Sequence, residues 1–317
     1  MKILCTGVLG FIGSQFVKML LDEYPDIEVR GFVRNSDQRK LKRLEGYLNN
    51  PRLRLIFGDL TVVNSMSGLC EHIDVVVNFA AKTFVDHSIK DPIAFIQSNI
   101  VGTYNLLEEA RKNNVSLYVQ ISTDEVYGAI LEGSYKENSP LNPTNPYSAS
   151  KAAGDLLVMS YGSTYQLPWI ITRTENNYGK FQHPQKAIPV FIKNALKDIP
   201  IPVYGDGKHR RMWIRVEDHC SAIIHLILND KRGIYHVAGE QELENIELAH
   251  RILDVMGKSH NLIELVPDFN IRPGHDRRYA LNVEKLKATG WKPEWNLDEG
   301  LEEVIQWYID NPEWLNS

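Results

Sequence analysis

The chain has 317 residues, 43% of them hydrophobic, and a formal charge of -5 at pH 7. That length and apolar content support a sizeable core, in one large or two medium domains, and exclude a disordered chain. Acids and bases are interspersed, and no apolar run approaches the ~18 residues of a membrane span, so neither a nucleic-acid partner nor a membrane is expected.

From the N-terminus, strand-like apolar runs recur at 2–6, 29–33, 54–57, 74–79 and 117–121. Between them, "FIGSQFVKMLLDEY" and "NIVGTYNLLEEARKNN" return apolar residues every three or four positions, the helical period. This alternation predicts parallel βαβ units in a doubly wound α/β sheet of Rossmann type, covered by helices on both faces. A long helix is predicted over "YSASKAAGDLLVMSYG" and a strand over "WIITR". Beyond them Pro184, Pro189, Pro200 and Pro202 interrupt the pattern and the elements shorten, with a strand at "IYHVAG" and helices at "ENIELAHRILDVMG" and "LDEGLEEVIQWYIDN". The expected organisation is an NAD(P)-binding domain over 1–175 and a smaller C-terminal α/β substrate lobe over 176–317, with segments interleaved across a soft boundary. Cys5, Cys70 and Cys220 lack the spacing of a metal site or disulfide framework, and no basic leader with an apolar core precedes the first strand. A soluble, cytoplasmic protein without a metal is expected.

Gly7, Gly10 and Gly13 stand at G-x-x-G-x-x-G spacing where the first strand passes into a helix. Glycines there permit a tight turn and let a pyrophosphate approach the backbone at a helix N-terminus. The second strand ends "FVRNSDQRK", without the acid that grips the ribose hydroxyls of NAD; Arg34 instead offers a cation for a 2′-phosphate, which raises NADP. Asp59 in "GDL" is placed either beside an adenine ring or as a turn-capping aspartate.

Tyr147 and Lys151 lie four apart, on one face of a helix. An ammonium near a phenol stabilises phenolate, so Lys151 is expected to lower the Tyr147 pKa and make it a usable base for a sugar hydroxyl. Upstream, the fifth strand ends in "STDEVYG", with Thr123, Asp124 and Glu125 side by side. Neighbouring carboxylates suit a division into one acid and one base, because repulsion raises one pKa.

With the glycine loop, the Tyr-x-x-x-Lys pair and the hydroxyl-bearing strand end at Ser122 and Thr123, the chain resembles the short-chain dehydrogenase/reductase superfamily in its extended form. "STDEVYG", "NPYSASKAAGD", "NNYG", "YGDG", "VEDHC" and "RPGHDRRYA" follow in order. Together they resemble nucleotide-sugar 4,6-dehydratases of the dTDP-glucose 4,6-dehydratase type over nearly the whole chain. The resemblance implies a tightly bound NAD regenerated each turnover, contacted at Gly7, Gly10, Phe11, Ile12, Gly13, Arg34, Asp59, Leu60, Ala80, Ala81 and Asn99 as well as Tyr147 and Lys151. It implies Tyr147 as the base at the C4 hydroxyl, Thr123 on the same oxygen, Glu125 as the base at C5 and Asp124 as the acid at C6.

For the nucleoside diphosphate of a hexose substrate, the resemblance implies Asn176, Arg211 and His275, with Lys186, Asn245 and Arg272 behind them. It also implies a homodimer through the helices carrying Tyr147 and "NIVGTYNLLEEA". The chain departs from the family pattern at Lys82, Thr83 and Phe84 (Glu-Ser-His), at Glu175 (a small residue), at Lys180 (proline) and at Met212 (aspartate). These keep UDP-, GDP- and N-acetylated sugars open beside dTDP-glucose. A 4-epimerase of the same fold would not need Asp124 and Glu125, and a non-catalytic NAD(P)-binding protein would have lost part of the catalytic group.

Overall fold

The computed structural model describes residues 1–34, 38–267 and 276–316. Each strand predicted in the first half of the chain forms, within two residues of its expected ends: β1 (Lys2–Thr6), β2 (Glu28–Val33), β3 (Leu53–Phe57), β4 (Val75–Asn78), β5 (Leu117–Thr123) and β6 (Trp169–Thr174). The later strands are β7 (Asn176–Tyr178), β8 (Ile201–Tyr204), β9 (Arg210–Arg215), β10 (Gly233–Val237), β11 (Glu242–Glu244) and β12 (Ile263–Val266). No described helix is long and apolar enough to cross a membrane.

The chain divides into two compact units. The first comprises Met1–Tyr127, Glu137–Thr174 and Cys220–His236; the second comprises Gly128–Lys136, Glu175–His219 and Val237–Ser317.

The first unit holds a seven-stranded sheet in the order β10-β6-β5-β4-β1-β2-β3. Neighbours from β3 through β6 pair in parallel, as crossover helices require. Strand order reverses between β1 and β4, so their C-terminal ends open a crevice of the kind that binds dinucleotides. The Phe11–Glu23 helix buries Gly13, Ser14, Phe16, Val17, Leu20 and Leu21, one face at helical spacing, and stops just before Pro25. Leu4, Val76, Leu106, Leu107, Tyr118 and Ile171 belong to the core, each burial contributing roughly 1.5–3 kcal/mol.

Polar side chains also cross this sheet. Thr6 Oγ1 donates to Asn78 Oδ1 at 2.6 Å, and Asn78 Nδ2 donates to Gln120 Oε1 at 3.0 Å, all buried. The helix predicted at 99–114 begins as a π-helical turn, Ile96–Val101, before regular helix Gly102–Lys112. Asn99 sits in that turn and bonds outside it, as described below. "IYHVAG", expected in the substrate lobe, forms β10 and joins β6 in the first unit's sheet.

The second unit has a three-stranded sheet, β11-β9-β7, and a two-stranded one, β12-β8. The Ala187–Leu196, Asn245–Val255 and Leu297–Asp310 helices supply Ile188, Ile192, Leu248, Ile252, Leu301 and Val304 to a separate core.

Candidate active site

β1 runs straight into the glycine loop. Gly7 has φ +67°, and a Cβ there would lie 2.9 Å from the Ala80 backbone nitrogen; a Cβ on Gly13 would lie 2.5 Å from the Gly7 oxygen. Only glycine fits both positions. Gly10 is the N-cap of the Phe11–Glu23 helix, with no side-chain capping bond and no acid in the first turn. Uncapped helix N–H groups beside a loop with glycine at three positions fit a dinucleotide pyrophosphate. Ala80 N donates to Thr6 Oγ1 at 3.1 Å, which fixes the β4 end against this loop, with Ala81 following half-buried. Phe11 and Ile12 are half-buried in the first turn.

Arg34 is exposed just after β2. Asp59 Oδ1 accepts from Thr61 N at 2.9 Å and Thr61 Oγ1 at 2.8 Å, so it caps its own turn, while Leu60 is buried and its carbonyl accepts from Asn105 Nδ2 at 2.9 Å. Asn99 accepts from Lys82 N at 2.8 Å and donates to Lys82 O at 3.0 Å and Ser150 Oγ at 2.9 Å. Its amide therefore ties the strand-end segment carrying Lys82 to the Tyr147 helix.

β5 and the Pro146–Tyr165 helix bring the predicted catalytic group together. Asn145 caps that helix, accepting from Ser148 N at 3.0 Å, with Pro146 at the first helical position. The same Asn145 donates from Nδ2 to Glu125 Oε2 at 3.4 Å. Thr123 Oγ1 donates to Asp124 Oδ1 at 2.9 Å and accepts from Glu125 N at 3.3 Å. Thr123 also faces Tyr147 and favours its phenolate. Thr123, Asp124, Tyr147 and Lys151 are buried and Glu125 is half-buried. Phe95 packs edge-on against Tyr147, with ring centroids 6.3 Å apart, and Lys82 Nζ lies 6.0 Å from the Phe95 centroid.

One expectation reverses. Tyr147 is pushed well above the usual phenol pKa by burial and then by the charge of Glu125, with the Thr123 hydrogen bond opposing. Lys151 Nζ donates to the Ile121 carbonyl at 2.5 Å, and burial pushes its own pKa down to about 8 against the pull of Asp155. In the protein by itself Tyr147 is thus a neutral hydroxyl.

In the second unit, Asn176 lies on β7 in register with Trp213 of β9. Arg211 donates from Nη2 to Asp276 O at 2.7 Å and from Nη1 to Arg210 O at 2.7 Å, and its guanidinium lies 4.4 Å from the Tyr279 centroid. Lys186 is half-buried at the N-cap of the Ala187–Leu196 helix, and Asn245 opens the next long helix with its N–H on His209 O at 2.9 Å. Arg272 and His275 lie outside the described residues. Glu175 is buried and accepts from Met212 N at 3.0 Å and Leu281 N at 2.8 Å, while Lys180 pairs with Glu303 at 2.5 Å. The "VEDHC" run supplies braces: Asp218 accepts from Glu294 N at 2.8 Å, and His219 Nδ1 meets Asn177 Oδ1 at 2.8 Å, with burial pushing His219 down to about 3. Asn145 and Asp155 were not singled out from the sequence; the Asn-Pro signal of a helix start was the available clue to the first.

A glycine cradle at the switch point, a Tyr–Lys helix and a hydroxyl-bearing strand end define an extended short-chain dehydrogenase/reductase. The chain belongs to the GDP-mannose 4,6 dehydratase family, which it matches over residues 4–304. It is 44% identical to the low-salt glycan biosynthesis protein Agl12 of Haloferax volcanii, across 99% of this chain and 100% of that one. It is 40% identical to the dTDP-glucose 4,6-dehydratase of Streptomyces niveus, across 99% and 94%. Among solved structures, the dTDP-glucose 4,6-dehydratase DesIV of Streptomyces venezuelae, with NAD and dTDP bound, superposes with TM-score 0.94 at 40% identity, across 100% and 99%. The UDP-glucuronic acid 4-epimerase of Bacillus cereus, with UDP-glucuronic acid and NAD, gives TM-score 0.92 at 26% identity, across 98% and 100%.

Proposed function

We propose that this chain is a nucleotide-sugar 4,6-dehydratase that converts dTDP-glucose to dTDP-4-keto-6-deoxyglucose. The observation that carries the reading is the pair of acids at the β5 end, both bonded to Thr123 and set beside Tyr147. An epimerase that only oxidises and reduces C4 has no use for an acid–base pair at C5 and C6.

Tyr147, as the phenolate that Lys151 stabilises, takes the proton of the C4 hydroxyl while Thr123 holds that oxygen. A dinucleotide held at the Gly7–Gly13 loop would supply the hydride acceptor for C4 and the hydride donor for C6. With a ketone at C4, the C5 hydrogen is acidic and the C6 hydroxyl stands β to the carbonyl. Glu125, oriented by Asn145, removes the C5 proton; Asp124 protonates the departing C6 hydroxyl, which leaves as water. A proton then returns to C5. Lys151 acts from the same helix face as Tyr147, holding the phenolate and the cofactor ribose.

NAD is the cofactor supported by the bound ligand of the dehydratase structures. Arg34, exposed beyond β2, keeps NADP as the second reading, and equal affinity for the two dinucleotides would remove it. In the second unit Asn176, Lys186, Arg211 and Asn245 remain the described candidates for the nucleoside diphosphate, with Arg272 and His275. A homodimer through the Tyr147 helix and its neighbour is supported by exposed apolar side chains: Tyr104 is 46% exposed and Leu156 55%. Three free, buried cysteines accord with a cytoplasmic enzyme.

The test is mass spectrometry of the purified enzyme with dTDP-, UDP- and GDP-hexoses. Loss of one water from dTDP-glucose is expected; an isomer without water loss would move the epimerase to first place. Glu125→Gln is expected to leave C4 oxidation in place and block water loss, so that reduced cofactor accumulates.

A further inference from the structure

Behind Tyr147 and Lys151 lies a run of buried polar groups that the dehydration steps do not use. Asp155 stands one turn beyond Lys151 on the same helix and has no solvent exposure. Its Oδ2 accepts from Ser122 Oγ at 3.0 Å and from Arg173 Nε at 3.0 Å, while its buried Oδ1 has no hydrogen-bond partner among the described residues. Arg173, 2% exposed, donates from Nη1 to the Tyr127 hydroxyl at 2.6 Å. Tyr127 meets His236 Nε2 on β10 at 2.7 Å.

Asp155 and Arg173 form a neutral buried pair. Lys151 adds a second buried cation whose Nζ bonds a backbone carbonyl, so the Asp155 charge four residues along the helix face is what favours its protonated form. Burial raises the Asp155 pKa, and the charges of Arg173 and then Lys151, with the Ser122 and Arg173 hydrogen bonds, hold it down. The other groups facing this cluster are Tyr147 on the same helix, Asp124 and Glu125 after β5, Arg173 on β6, and Tyr127 with His236 behind it.

We propose that Asp155 is a positioning residue: anchored by Arg173 and Ser122, its carboxylate keeps the buried Lys151 an ammonium, the form Lys151 needs beside Tyr147. The inference rests on the reading of Lys151 as a catalytic group. Selective 15N-lysine labelling reads the Nζ resonance directly, without substrate, and Lys151→Arg assigns it by loss of the signal.

Wild-type Lys151 is expected to be protonated at about pH 7. Asp155→Asn is expected to move the Nζ midpoint down by about one pH unit or more, and the alkaline limb of the turnover profile with it. Asp155→Glu is expected to restore both. An unchanged midpoint overturns the proposal even if turnover falls, because a merely structural aspartate would lower turnover at every pH. Should Asp155→Asn fail to fold, the wild-type titration decides: an ammonium at about pH 7 supports the proposal and a neutral lysine overturns it. Failure of the wild-type enzyme to dehydrate any nucleotide hexose would overturn the function reading instead, and leave the Nζ titration interpretable.

Discussion

Two buried arginines, one in each unit, hold their charge in different ways. Arg173 in the first unit is 2% exposed and its carboxylate partner Asp155 is 0% exposed, so neither end of the pair reaches water. Arg215 in the second unit has a side chain equally buried, yet its partners Glu217 and Glu303 are 22% and 36% exposed, and its guanidinium lies flat over Trp295, 3.7 Å from the centroid. The second arrangement is a clamp: it fixes β9 to the Leu297–Asp310 helix while its acids keep their hydration. The first carries the full desolvation cost of both charges, which a packed apolar pair would avoid. That cost falls on the helix that carries Tyr147 and Lys151.

The largest expected effect separates chemistry from stability within the first unit. Tyr147→Phe should lower turnover by at least about 100-fold and stop cofactor reduction, read at the absorbance of reduced nicotinamide, while the unfolding midpoint moves little. If Tyr147→Phe unfolds the protein instead, the first unit's polar groups are structural like those of the second.

Stability variants test the arginines themselves. Arg173→Met strands a buried carboxylate and should cost about 3–5 kcal/mol in urea unfolding. Arg215→Met leaves acids that turn to water and should cost only about 1–3 kcal/mol. Equal losses would erase the distinction.

Lys151 gives a sharper reading with pH. The unfolded chain keeps this proton to about pH 10.5, but burial lets the folded chain keep it only to about 8. The unfolded state therefore binds more protons between those values, and wild-type stability rises as pH climbs through the window. Lys151→Met lacks the penalty: it should be more stable at neutral pH by on the order of 3 kcal/mol, and the gap should close by about pH 10.5. A pH-independent gap would mean the lysine is not desolvated as described. The smallest effect belongs to Arg277→Ala, whose partner Asp206 is 53% exposed; stability should change by no more than about 1 kcal/mol.

The strands of the first unit were legible because each is a short apolar run closed by turn residues, and period alone places them. The glycine loop and the Tyr147–Lys151 spacing were legible for the same reason: their function is a local geometry. What escaped was set by partners distant in sequence. Asp155 reads as one acid on a helix until β5 and β6 deliver Ser122 and Arg173 to it, 33 and 18 residues away. The direction of the Tyr147 shift escaped because helical spacing puts Lys151 on the right face but says nothing of the burial of the phenol or of the Glu125 charge beside it. The sheet that "IYHVAG" joins was not legible, because a strand's sequence does not name its neighbour.

β10 has one further consequence. The seven-stranded sheet is completed by residues that emerge from the ribosome after Glu175–His219 of the second unit has already been made. Synthesis therefore cannot finish one unit before beginning the other, and no single cut in the gene releases either as an unbroken piece. Exchanging the second unit between relatives would therefore require moving several separate stretches of the gene at once.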